Sequence, residues 1–167
     1  EFRRVLFRSA PLAYEDARDR ARDGDPKERL ALARRADIRP EILYYLAGDP
    51  SADVRRAIAA NPATPVQAGM LLARDADTGV REALAQKLGH LFPDLSAGQR
   101  EAVHASLIEA IETLARDHTR RVRSLLAEAL KDVANAPPHV IAWLAQDRDI
   151  DVAAPVLERS PLLSDDD

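Results

Sequence analysis

A chain that performs covalent chemistry must bring together a nucleophile, a general base or a set of metal ligands. This one has 167 residues and no cysteine, which excludes disulfides, thiolate metal sites and a cysteine nucleophile. Its four histidines, His90, His104, His118 and His139, are widely separated, and none stands in an H-x-x-x-H or His/acid spacing that would hold a metal. With 28 Asp and Glu, any single pair of carboxylates is unspecific, and solvated faces account for them. What remains is a base held at a fixed distance from an acid. Asp23 and Arg29, Asp49 and Arg55, Asp75 and Arg81, and Asp117 and Arg123 each stand six residues apart. A fifth Asp, Asp147, has Ala153 where the Arg would be. An arginine fork can bond two carboxylates, so the pattern predicts a ladder of ion pairs between or within repeated units. That chemistry is structural stitching. No catalytic or cofactor motif is present, and the reading assigns no enzymatic activity, no cofactor and no metal.

The acid–base pairs belong to a repeated unit, L-A-x-D-x-x-x-x-V-R. It runs from Leu46 to Arg55, Leu72 to Arg81 and Leu114 to Arg123, changes its end at Leu144 to Ala153, and survives in degraded form from Ala21 to Arg29. Asp23, Asp49 and Asp75 are 26 residues apart, and Asp117 and Asp147 follow after 42 and 30. Periods of this size mark a solenoid, in which each unit buries its apolar face against its neighbours. Within a unit the apolar residues recur at i, i+3 and i+4. One helix follows the Asp, with Val54, Ile58 and Ala59, or Val80, Leu84, Leu88 and Leu91, on one face. A second helix ends in Leu-Ala, with Ile42, Leu43 and Leu46, or Val140, Ile141 and Leu144. No stretch alternates with period two, so the predicted class is all-α.

Glu1 to Ser9, E-F-R-R-V-L-F-R-S, matches the translation of a sequencing-library adapter and is set aside from the fold. Without its three Arg and one Glu, 21 basic and 27 acidic residues remain, a net charge of −6 where the whole chain has −4. The expected organisation is one repeat domain over 10–167, cut off in its last unit. Lys27 to Arg35 forms a first helix, and Pro40 opens its partner. Ser51 and Asp53 are expected to cap the helix of Val54, and Thr64 the helix after Pro65. Ser96 is expected to cap the longest helix, near Ala97 to Arg116. Thr119 to Ala134 then forms a helix, and Pro137-Pro138 restarts the chain. Ser164 with Asp165, Asp166 and Asp167 reads as the start of a further helix.

Two surface patterns bear on partners. Aligned on Leu-Ala, Tyr45, Leu71, Thr113 and Trp143 form one column of the second helices, and Tyr44, Met70, Glu112 and Ala142 the next. Large aromatics and Met on a groove suit peptide binding, and the same residues suit packing between units. Tyr44, Tyr45, Met70, His139 and Trp143 are therefore the candidate partner-binding residues. Arg116, Arg120, Arg121 and Arg123 form a basic cluster that could meet phosphate, although the acidic balance weighs against a nucleic-acid surface. No apolar run approaches the length of a membrane span. The expected location is cytoplasmic.

The stretch Val54-Arg55-x-x-Ile58-Ala59-Ala60-Asn61-Pro62-Ala63-Thr64-Pro65 resembles leucine-rich-repeat-variant and HEAT-like repeats. Asp37-Ile38-Arg39-Pro40-Glu41-Ile42-Leu43-Tyr44-Tyr45-Leu46-Ala47 and Val152 to Asp165 are similar to a bacterial family known as domain of unknown function 2336. The resemblance covers about Pro11 to Asp167. It implies a right-handed α-solenoid of HEAT-like helical pairs, with the second helices lining the concave surface. It implies no activity. A protein–protein interaction scaffold is the expected function, and a nucleic-acid or phosphate-backbone binding module the alternative.

Overall fold

The computed structural model describes the backbone of residues 12–91 and 100–163, with the side chains of 12–88 and 105–163. The adapter-like segment, Ser96 and Ser164 to Asp167, and the side chains of His90 and His104, lie outside the described residues. Among these residues there are helices and no strands. In chain order they are α1 (Tyr14–Asp23), α2 (Pro26–Ala33), α3 (Pro40–Leu46), α4 (Ala52–Ala60) and α5 (Gln67–Ala73), then α6 (Thr78–Leu91), α7 (Arg100–Ala115), α8 (Arg120–Leu130), α9 (Pro138–Ala145) and α10 (Ile150–Arg159).

They stack in two rows. The even helices pack in sequence, α2 on α4, α4 on α6, α6 on α8 and α8 on α10. The odd helices form the other row, with contacts between α1 and α3, α5 and α7, and α7 and α9. The core lies between the rows. Val54 and Ile58, Val80 and Leu84, Val122 and Leu126, and Val152 and Val156 line the even side; Leu43, Leu46, Leu72, Leu107, Leu114 and Ile141 line the odd side, all fully buried. Each large aliphatic side chain contributes roughly 1.5–3 kcal/mol by leaving water. The contacts are made unit to neighbouring unit, as the 3.6-residue spacing within each repeat requires. The longer interval between Asp75 and Asp117 is taken up by α6 and α7, of 14 and 16 residues, and the connection between them.

The helix starts differ from those expected in three places. Ser51 sits at the N-cap position of α4, but its side chain makes no capping bond. The acceptor is Asp49, whose Oδ1 takes the Ser51 N–H at 2.8 Å. Asp53 is exposed and meets Arg56 instead. Thr64 does not cap α5, which begins at Gln67. Its hydroxyl donates back to the Ile58 carbonyl at 2.8 Å and so closes the end of α4. Helix α8 stops at Leu130, and two tight turns, Leu130 to Val133 and Val133 to Ala136, lead into Pro137-Pro138. At α2 a full capping box forms between Asp25 and Glu28 ahead of Pro26. Pro155 lies inside α10 and cannot donate to the Asp151 carbonyl four residues earlier. Ser124 of α8 donates its hydroxyl to that oxygen at 3.1 Å, tying one unit to the next.

Candidate interaction surface and the ladder that supports it

The ladder connects units rather than closing within them. Nε and Nη2 of Arg29 donate to both carboxylate oxygens of Asp49, at 2.6 and 3.3 Å. Arg55 grips Asp75 at 2.6 and 3.0 Å, Arg81 grips Asp117 at 2.6 and 3.3 Å, and Arg123 grips Asp147 at 2.6 and 3.2 Å. The third nitrogen explains the spacing of six. Nη1 of Arg55, Arg81 and Arg123 reaches back to the backbone carbonyl of its own unit's Asp49, Asp75 and Asp117, at 2.7, 2.7 and 2.8 Å. So the in-unit interval records a main-chain bond, and the carboxylate partner belongs to the next unit. The Asp is held in turn. Its Oδ1 accepts the N–H two residues on, at Ser51, Asp77, Thr119 and Asp149, an Asx turn that fixes the acceptor before the arginine arrives.

Two assignments change as a result. Asp23 is not a rung: it is exposed and pairs with its neighbour Arg22, while Arg29 reaches back to the Gly24 carbonyl at 2.7 Å. Asp147 is a rung, because its arginine comes from the preceding unit and needs no Arg at position 153. Burial grades the rungs. The Arg81 and Asp117 side chains are 5% and 6% exposed, whereas Arg29, Arg55 and Arg123 keep 16–18%. Burial pushes the Asp117 carboxyl up, but the bonds from Arg81 and from the Thr119 N–H together hold it below its usual value. The bonds from Arg123 hold Asp147 below its usual value as well.

A second tie passes through Asn61, which is buried. Its side-chain amide donates to the Ala33 and Arg35 carbonyls at the end of α2, at 2.7 and 2.8 Å, and its oxygen accepts the Ala63 N–H at 2.9 Å. Helix-end carbonyls lack partners of their own. Asn61→Ala would strand both, and we expect a loss of about 2 kcal/mol by urea denaturation. An unchanged midpoint would show that water replaces the amide. In the sequence Asn61-Pro62 marks a turn, and nothing in the spacing shows that the Asn61 amide reaches α2.

The stitched rows leave the odd helices with one outward face. Tyr44, Tyr45 and Leu71 are 51%, 59% and 50% exposed on it. Met70 and Trp143 are half-buried and pack against the core. His139 is exposed, its Nε2 lies 2.7 Å from Glu112 Oε1, and its ring meets that of Trp143 edge-on with centroids 5.0 Å apart. The outer face of Trp143 carries the Arg116 guanidinium, 3.8 Å from the ring centroid. Beside Tyr45, a groove of about 250 Å³ opens between α1 and α3, walled by Tyr14, Tyr45 and Ile42 and rimmed by Arg18 and Arg22. Tyr14 was hidden in a polar stretch of sequence and adds an aromatic wall.

The basic cluster disperses. Arg123 is spent on Asp147 and Asp149, Arg120 pairs with Asp151, and Arg116 lies on Trp143. Acid and base also alternate on the odd face, where Arg74 meets Glu109 at 3.3 Å. No group of His, Cys, Asp and Glu suited to a metal occurs among the described residues. Among them no helix is long and apolar enough to cross a membrane. No family model matches the chain, and no curated protein does.

Proposed function

We propose that this chain is a helical-repeat interaction scaffold whose odd-numbered helices hold a segment of another protein. The exposed row of Tyr44, Tyr45 and Leu71 carries the reading. These are large side chains, on two helices of the odd row of a stitched array, with no core to fill. Aromatic and aliphatic anchors of this kind supply most of the energy of protein interfaces. On the same reading the array is a right-handed α-solenoid of HEAT-like pairs, similar to domain of unknown function 2336, with the odd row concave and no catalytic role. The motifs around Val54 and Ile42 support that likeness. The nucleic-acid alternative is disfavoured by the mixed charge of the odd face.

Selection of short random peptides on the immobilised chain tests the scaffold reading. Enriched peptides should bind the Tyr45→Ala/Leu71→Ala variant about tenfold more weakly, a loss of 1–2 kcal/mol being usual for such anchors. The thermal midpoint should be unchanged, since both side chains are half exposed. Equal binding to the two proteins would remove this face as the site.

A further inference from the structure

The position after Leu-Ala recurs at the C-terminal end of each odd helix. It is occupied by Arg22, Gly48, Arg74, Arg116 and Gln146. In the middle of the array, on the packed pair α5 and α7, it is Arg twice. The two differ in a useful way. Arg74 is 65% exposed and, among the described residues, held only by Glu109, itself 57% exposed, at 3.3 Å. An exposed pair of this kind is worth little and is easily exchanged for another carboxylate. Arg116 has no carboxylate partner among the described residues. Its Cζ lies instead over the Trp143 ring, 3.8 Å from the centroid; that ring meets His139 edge-on, and His139 is held by Glu112. A guanidinium stacked on an indole keeps its N–H edge free, and its orientation is already set. That is the geometry in which arginine bonds a carboxylate through two parallel hydrogen bonds. On α5, which packs against α7, Leu71 is exposed in the column that holds Trp143 on α9.

We propose that this edge receives an acidic segment of a partner protein. An Asp or Glu carboxylate sits in the fork of Arg116, a second replaces Glu109 at Arg74, and an apolar side chain of the same segment covers Leu71. The proposal rests on the scaffold reading and gives its partner a chemistry. Arg116 is a recognition residue in it, and Trp143, His139 and Glu112 position that arginine.

Trp143 is the only tryptophan, so its emission reports this site directly. Peptides enriched from the random pool should carry Asp or Glu beside a large apolar residue. Titrating them should change Trp143 emission and should be weakened by salt. Arg116→Ala should weaken them about tenfold or more, the loss expected for a hydrogen bond to a charged group. Arg116→Lys should recover only part of the binding, because an ammonium keeps the charge but lacks the flat fork. Arg116 is exposed, so the folded state should survive both changes. Enriched peptides that are neutral or basic, or acidic peptides that bind Arg116→Ala undiminished, would overturn the acidic partner. If those peptides still required Tyr45 and Leu71, the scaffold reading would stand without it. If no peptide were enriched at all, both would fall.

Discussion

Replacing Arg81 by Ala should cost about 3–5 kcal/mol, more than any other arginine in the ladder. The reason is burial on both sides of the bond. Arg81 fills the gap between α6 and α8 with six donated bonds, to both oxygens of Asp117, to the Asp75 and Ala76 carbonyls and to the Thr78 and Thr119 hydroxyls. Truncation takes the guanidinium from Asp117, a carboxylate only 6% exposed in the intact protein, and leaves it the N–H and hydroxyl of Thr119. Arg29, Arg55 and Arg123, which themselves see more water than Arg81, should cost less. Arg56 is 47% exposed and holds Asp53 and Asp77 at 3.3 and 3.2 Å, so Arg56→Ala should cost under about 1 kcal/mol. Acid should narrow the difference between Arg81→Ala and wild type. Asp117 titrates below its unfolded value, so its pairing is fully stabilising above that value, about pH 4, and is lost as pH falls through the lower folded one. Below that point the stranded carboxyl takes a proton in both proteins. Chemical denaturation of the three proteins at neutral and acid pH reads all of this, and equal midpoints for Arg81→Ala and Arg56→Ala would defeat it.

Lys87→Met should stabilise the protein by about 3–4 kcal/mol at neutral pH, from the roughly 1.4 kcal/mol carried by each pKa unit. Lys87 lies on α6 against Pro65, Val66 and Ala110, and its ammonium donates only to the Asn61 carbonyl, at 3.3 Å. Burial pushes its pKa down from 10.5 to about 8. The folded chain therefore holds fewer protons than the unfolded one between pH 8 and 10.5, and stability should rise with pH across that window. Below pH 8 both states are protonated and the full penalty is present. Methionine keeps the length of the stem and removes the charge. The variant should be more stable at pH 7 and should lack the alkaline gain. Destabilisation by the substitution, or a wild-type curve flat from pH 8 to 10, would show that the ammonium reaches water.

These two residues mark the boundary of what could be read in the chain. The all-α class and the two-helix unit were legible because Val80, Leu84 and Leu88 repeat at helical spacing and because L-A-x-D returns at each turn of the array. The ladder was legible as residue types but not as partners. Asp49 to Arg55 is a local interval, and only the stacking of α4 on α6 shows that the arginine looks forward to Asp75. That is why Asp23 was included and Asp147 was given no arginine. Lys87 stands off the apolar face marked by Val80, Leu84 and Leu88. It is partly buried because α5 and α7 cover the flank of α6, which no pattern within α6 announces. Trp143 looked like an anchor for a partner. The structure lays Arg116, from the end of a different helix, across it, and the side chain offered outward is the arginine.

The arginines of the ladder bind forward, from one unit into the next. A double-mutant cycle in denaturant tests this directly, with Arg81→Ala combined once with Asp117→Ala and once with Asp75→Ala. The geometry predicts a coupling of about 1–3 kcal/mol between Arg81 and Asp117, which share two hydrogen bonds across units. It predicts near-additivity, within about 0.5 kcal/mol, for Arg81 and Asp75, which meet only through a backbone carbonyl that alanine retains. A coupling confined to Asp75, or none in either cycle, would contradict it.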